Sequence, residues 1–168
     1  MRVLVTGIDG YIGAILGPRL LHGGFEVVGI DCGFYRDGWL YNASDPRPLT
    51  ITKDVRRITR EDLKGFDAVV HLAELSNDPL GELSERTTYD INHQGSLALA
   101  RACKAAGVSR FVYTSSCSVY GAAEDGGERS EGSPPNPQTA YAKCKVLVER
   151  DVAALADAQF SPVFLRNA

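Results

Sequence analysis

The stretch "VTGIDGYIG", residues 5–13, follows the first apolar run of the chain and holds three evenly spaced glycines, Gly7, Gly10 and Gly13. Glycine inside a helix costs about 1 kcal/mol relative to alanine, so three of them at the start of a helical pattern need a reason. Gly7, just after the strand, allows a tight turn. Gly10 lets the backbone approach a pyrophosphate with no Cβ in the way, and Gly13 lets the helix pack closely on the sheet. The helix then presents free N–H groups and its positive dipole end to the phosphates.

Working outward, a second strand ends at Asp31, about 20 residues beyond the glycines. A carboxylate there accepts hydrogen bonds from an adenosine ribose and repels a 2′-phosphate, which favours NAD over NADP. Asp54, in "TKDVRR" (52–57), ends the third strand and reads either as a neighbour of the adenine or as a structural residue.

The same alternation continues along the chain. Strands are expected at 2–6, 25–30, 49–53, 67–72, 110–115 and 161–166, all nearly continuous in apolar character and so buried on both faces. Helices are expected near 11–23, 59–64, 84–106 and 138–158. Strand–helix alternation means parallel strands joined by right-handed crossovers, hence a doubly wound α/β sheet with helices on both faces. Ligands then bind beyond the carboxyl ends of the strands. Two long polar or aromatic connections, 31–48 and 121–137, have the length of binding loops or lids.

Composition narrows the function further. The chain has 168 residues, one domain's worth, with 44% hydrophobic residues and a net charge of -3. That charge and the lack of a Lys/Arg cluster argue against nucleic acid, and no run of about 18 apolar residues suggests a membrane span. Cys32, Cys103, Cys117 and Cys144 are scattered, which disfavours zinc and a disulfide framework and fits a reducing cytoplasm. Each reads by default as a small buried hydrophobe. No metal site is expected: His22, His71 and His93 lack companions at ligand spacing and read as structural.

The chemistry is expected further on, in "YTSSCSVYG" (113–121) and "YAKCK" (141–145). Tyr141 and Lys145 are four apart and share a helix face. A free phenol titrates near 10 and is a poor base at neutral pH. Lowering that by about 2–3 units takes roughly 3–4 kcal/mol, of the kind a fixed ammonium and a positive nicotinamide supply. Ser116, at a strand's carboxyl end, is placed to donate a hydrogen bond to a substrate oxygen.

With these residues in order, the sequence resembles an extended short-chain dehydrogenase/reductase of the nucleotide-sugar epimerase and dehydratase group. The resemblance rests on "TGIDGYIG", Asp31, "DV" (54–55), "HLAEL" (71–75), "NHQGS" (92–96), "TSSCSVYG" and "YAKCK", spanning nearly all of the chain. It implies a Rossmann-like domain holding NAD(P), a Ser116/Tyr141/Lys145 triad, and a smaller C-terminal region closing over an NDP-sugar. Tyr141 would be the acid/base, Ser116 would orient the sugar hydroxyl, and Lys145 would hold the nicotinamide ribose. The implied cofactor contacts are Gly7, Asp9, Gly10, Tyr11, Ile12, Gly13, Asp31, Asp54, Val55, Leu72, Ala73 and Asn92, with Ala73 contributing its small size. Asn92 reads equally as a buried structural residue. Ser76, Asn77, Ser116 and Cys117 are the candidate substrate contacts. Residues 1–168 are expected to be the NAD(P)-binding part of a longer protein. A homodimer through the helices at 84–106 and 138–158 is a further implication.

The dehydratase branch places Asp-Glu after the strand-end Thr or Ser. Here those positions hold Cys117 and Ser118, so elimination of water is disfavoured. Reversible hydride transfer at C4 remains, and with it an NAD-recycling NDP-sugar 4-epimerase. The alternatives are an NDP-4-keto-deoxysugar reductase, and a member of the fold that senses the dinucleotide or scaffolds a complex without catalysis. Cys117 reads as a space-filling side chain beside the nicotinamide or as a thiolate abstracting a proton next to a ketone. Trp39 and Tyr41 read as local anchors, or as neighbours of the adenine or of a partner subunit.

Overall fold

The computed structural model describes residues 1–35, 38, 41, 44–76, 84–122 and 127–168. Six strands, β1 (Arg2–Thr6), β2 (Glu26–Asp31), β3 (Leu49–Thr52), β4 (Ala68–His71), β5 (Arg110–Ser116) and β6 (Ser161–Asn167), form one sheet in the order β3-β2-β1-β4-β5-β6. Every neighbouring pair is parallel. This is the doubly wound Rossmann order, and its direction of winding reverses between β1 and β4. Thr6 pairs with both Ile30 and His71, so the turn after β1 and the segment after β4 leave the sheet side by side. A crevice opens at that point because the two chains then diverge to opposite faces.

The helices cover both faces. Alternation along β1 sends Val3 and Val5 into one apolar layer with Ile8 and Val27, and Leu4 into the other with Leu99, Phe111, Val148 and Phe160. Helix α1 (Gly13–His22) lies against the first layer, where Leu20 and Leu21 join it. The second is closed by α2 (Glu85–Thr88), a π-helical turn (Tyr89–Gly95), α3 (Ser96–Ala106) and α4 (Ala140–Ala153). Their boundaries follow local chemistry. Thr139 Oγ1 accepts the Ala142 N–H at 3.2 Å to start α4. Gly107, at φ +83°, ends α3 while the Val108 N–H returns to the Cys103 carbonyl at 3.0 Å. Among the described residues no helix is long and apolar enough to cross a membrane.

Four expectations change. The helix expected at 59–64 is instead two 3₁₀ turns, Val55–Arg57 and Glu61–Leu63, because Asp62 accepts the Thr59 N–H and pairs with Lys53 rather than facing a helix. The helix expected over 84–106 is broken by the π turn around Asn92. β3 and β6 are not buried on both faces. They are the sheet edges, and Leu49 is 71% exposed. Of the cysteines only Cys103 and Cys144 are buried; Cys32 and Cys117 are exposed, and all four are free thiols.

Candidate active site

Gly7 sits at φ +71°, and a Cβ on it would lie 2.8 Å from the Ala73 nitrogen and 2.9 Å from the Leu72 carbonyl carbon. The turn after β1 and the segment after β4 are thus in backbone contact, which leaves no room for a side chain at position 7. At Gly13 a Cβ would overlap the carbonyl oxygens of Gly7 and Ile8. Around Gly10 the closest described atom to such a Cβ is the Gly7 oxygen at 3.2 Å, and the rest of its surroundings is open. Two glycines therefore close the turn, and the third leaves a face free. No side chain caps the first turn of α1, and although the Ala14 and Ile15 N–H groups bond to the Gly10 and Ile12 carbonyls, the positive end of the helix stands at this turn.

That face borders a cavity of about 750 Å³ at the carboxyl ends of the strands. The wall brings together Gly7, Asp9, Gly10, Tyr11, Ile12 and Gly13 from the turn, with Asp31, Asp54 and Val55 from the ends of β2 and β3. Leu72, Ala73 and Ser76 follow from β4, and Ser116, Cys117, Tyr141 and Lys145 complete the far end. Asn77 and Trp39 lie outside the described residues. Asn92 stands apart from the cavity. It is buried behind the wall, where its amide accepts the Leu75 N–H and donates to the Leu75 carbonyl, both at 2.9 Å.

At the acidic end, Asp31 accepts the Asp9 N–H at 3.1 Å and the Gly33 N–H at 2.8 Å, so its carboxylate is aimed by the glycine turn itself. The Tyr41 hydroxyl reaches the Ile8 carbonyl at 2.9 Å and Asp9 Oδ1 at 3.2 Å, clamping the long loop onto that turn. Burial, then the nearby carboxylates of Asp9 and Asp31, raises the Tyr41 phenol above its ordinary range. Asp54 is engaged locally: it accepts the Arg56 N–H and pairs with the Arg56 guanidinium at 2.6 Å, which holds its carboxyl below the usual range.

At the other end, Tyr141 and Lys145 project from α4 toward the end of β5. The Lys145 ammonium lies 5.2 Å from the Tyr141 ring centre and 4.6 Å from that of Tyr113. It donates to the Thr114 carbonyl at 2.5 Å. Ser116 Oγ accepts the Ser118 N–H at 3.1 Å, starting the 3₁₀ turn Cys117–Tyr120, while Ser115 is directed the other way toward Glu149.

One acidic neighbour was not foreseen. Glu74 pairs with Lys145 at 2.5 Å and accepts the Tyr113 hydroxyl at 2.6 Å, with only 3% of its side chain exposed. Burial raises its carboxyl above the usual range, and the Lys145 ammonium and the Tyr113 hydroxyl oppose that rise only in part. A glutamate inside the apolar run "VVHLAEL" was the available signal, since a buried carboxylate must be paired. Beneath it, His71 bridges Thr6 (2.7 Å) and Ser96 (2.8 Å). The Ser96 hydroxyl donates to the Asn92 carbonyl at 2.5 Å, so Nε2 of His71 carries the proton and Nδ1 accepts from Thr6. Burial first, then Lys145, lowers the imidazole to about 3, so it is neutral. His93 is likewise engaged, by Asp151 at 2.7 Å and Gln94 at 2.9 Å.

A three-glycine turn at the switch point of a 3-2-1-4-5-6 sheet, with an acid at the end of β2, defines a dinucleotide-binding Rossmann fold. The model of the NAD dependent epimerase/dehydratase family matches residues 3–168, and the chain belongs to that family. The UDP-glucose 4-epimerase of Streptomyces lividans is 31% identical over 160 residues, covering 94% of this chain and 48% of that protein. That of Mycolicibacterium smegmatis is 35% identical over 164 residues, 89% of this chain and 49% of its own length. Among solved structures, DesIV, a dTDP-glucose 4,6-dehydratase from Streptomyces venezuelae with NAD bound, superposes with a TM-score of 0.88. It is 30% identical, covering 99% of this chain and 55% of its own. MoeE5 with UDP-glucuronic acid and NAD gives 0.85 at 31% identity, covering 99% and 54%. The chain thus spans about half the length of the relatives it matches.

Proposed function

We propose that residues 1–168 are the NAD-binding domain of an NDP-sugar 4-epimerase that recycles its cofactor. The observation that carries this is the grouping of Tyr141, Lys145 and Ser116 at one end of the cavity whose other end is the glycine turn and Asp31. The absence of a Cβ at Gly10 and the closed packing at Gly7 and Gly13 fit a pyrophosphate, and the aimed Asp31 carboxylate fits a ribose diol better than a 2′-phosphate. When bound, NAD supplies a reversible hydride acceptor at the sugar carbon. Tyr141 takes the proton of the sugar hydroxyl and returns it. Lys145, held by Thr114 and Glu74, keeps a cation beside that phenol and has a third N–H for the nicotinamide ribose. Ser116 holds the sugar oxygen in line.

Cys117 and Ser118 stand where elimination would need an acid and a base, which favours epimerisation over dehydration. The curated relatives named UDP-glucose 4-epimerase point the same way. A cytoplasmic homodimer paired through the helices at 85–106 and 140–153 belongs to the same reading. Full-length protein incubated with UDP- and dTDP-hexoses should form the C4 epimer without added reductant. Turnover that consumes stoichiometric NADH or NADPH would replace this reading with a ketoreductase.

A further inference from the structure

Glu74 lies three residues beyond β4 and Lys145 on α4, 71 positions apart in the chain, and tertiary folding joins them as an ion pair with 3% and 5% of their side chains exposed. The lysine has three donors. One is taken by the Thr114 carbonyl at 2.5 Å, and the ammonium stands 2.5 Å from Glu74 Oε2 as an ion pair. The ring centre of Tyr141, which also lines the cavity, lies 5.2 Å from the same ammonium. The carboxylate is fixed in turn by the Tyr113 hydroxyl at 2.6 Å, so it cannot swing away from the ammonium without breaking a buried bond.

The other titratable groups packed around the pair carry no charge near neutral pH. From β4, His71 is lowered to about 3. From β5, burial holds the Tyr113 phenol protonated, and from α4 it pushes the Cys144 thiol up to about 12. Ser96, from α3, adds a hydroxyl. Tyr141 therefore faces a cation whose counter-anion is built in behind it, and feels a dipole where an unpaired ammonium would present a full charge.

We propose that Glu74 is a positioning residue of the active site, one that sets, through Lys145, how readily the Tyr141 phenol gives up its proton. The proposal rests on the reading of Tyr141 and Lys145 as the acid/base pair. Its consequence is directional. Glu74→Gln keeps the shape, an acceptor for Lys145 and a partner for Tyr113, and leaves the cation unbalanced beside the phenol. Removing the negative charge that balances Lys145 favours the Tyr141 phenolate, and a unit charge on the order of 10 Å away through an effective dielectric of about 20 is worth about one pH unit, so its ionisation is expected to move down by about that much.

The test uses the full-length protein without cofactor or substrate. The phenolate ultraviolet band is followed against pH, and the Tyr141 contribution is isolated by subtracting the titration of Tyr141→Phe. In Glu74→Gln that contribution should rise about one pH unit earlier than in the parent, and the acid limb of UDP-hexose turnover should move in the same direction. Coincident titrations, or a lowered melting temperature with no displacement of the band, overturn the proposal. Should Glu74→Gln not fold, Tyr113→Phe loosens the carboxylate's second bond and should move the band the same way by less; no movement there is equally fatal. Because the titration needs no substrate, it is separable from the proposed reaction. A Tyr141→Phe protein that turns over normally refutes the reaction and leaves the coupling measurable.

Discussion

Replacing Gly7 by alanine and, separately, Gly10 by alanine tests the division of labour within the glycine turn. At Gly7 two costs coincide. The backbone at φ +71° is unfavourable for any L side chain by about 1–2 kcal/mol. The added Cβ would also meet the Ala73 nitrogen at 2.8 Å and the Leu72 carbonyl carbon at 2.9 Å. Both are backbone atoms of the segment just after β4, which is tied to β1 by the Leu72 and Ala73 N–H groups on the Thr6 carbonyl and hydroxyl, so no rotamer change relieves the contact, and overpacking of this kind costs about 1–3 kcal/mol. The sum, about 2–5 kcal/mol, corresponds to a fall in melting temperature of roughly 4–20 °C at about 2–4 °C per kcal/mol. At Gly10 the one close approach among the described residues is the Gly7 oxygen at 3.2 Å, so the fold should hold while the methyl group occupies the space proposed for a pyrophosphate. Scanning calorimetry and titration with NAD, both on the full-length protein, separate the two. Gly7→Ala should lose stability first, and Gly10→Ala should melt close to the parent yet bind NAD at least tenfold more weakly. Equal melting temperatures for all three proteins, or undiminished NAD binding by Gly10→Ala, would refute the reasoning.

Tyr141→Phe should bind NAD and lose about 10²–10⁴-fold in kcat, read by epimer formation from UDP-hexoses; retained turnover removes Tyr141 from the mechanism. Asp31→Ala should narrow the preference for NAD over NADP by at least about tenfold, as the repulsion of a 2′-phosphate is withdrawn, measured as the ratio of the two dissociation constants. His71 gives a pH dependence of stability. Its folded value, about 3, lies below the unfolded value near 6.5, so its contribution is complete above about 6.5 and is lost progressively as pH falls toward 3. Between about pH 6.5 and pH 5 the loss is about 2 kcal/mol. Urea unfolding of the parent against His71→Gln should show a shallower acid decline in the variant.

The parts legible in the chain are those set by near neighbours. Short, nearly continuous apolar runs alternating with period-3.6 runs dictate a parallel sheet, the Gly7/Gly10/Gly13 spacing dictates a tight turn into a helix, and the four-residue step from Tyr141 to Lys145 puts both on one helix face. Each needs only the geometry of a few consecutive residues. Asp54 was ambiguous for the same reason: its carboxylate is claimed by Arg56 two positions on, and local spacing alone allowed either partner.

Tertiary packing decided the rest. Edge placement exposes Leu49 and Ile51 although their run looks like a buried strand. The π turn directs Asn92 to Leu75, 17 residues back, instead of to the cavity. Glu74 meets Lys145 only because folding brings the segment after β4 against a residue of α4. No periodicity encodes such a pair. A side chain's charge state depends on what displaces water around it, and that is determined by segments far apart in the chain.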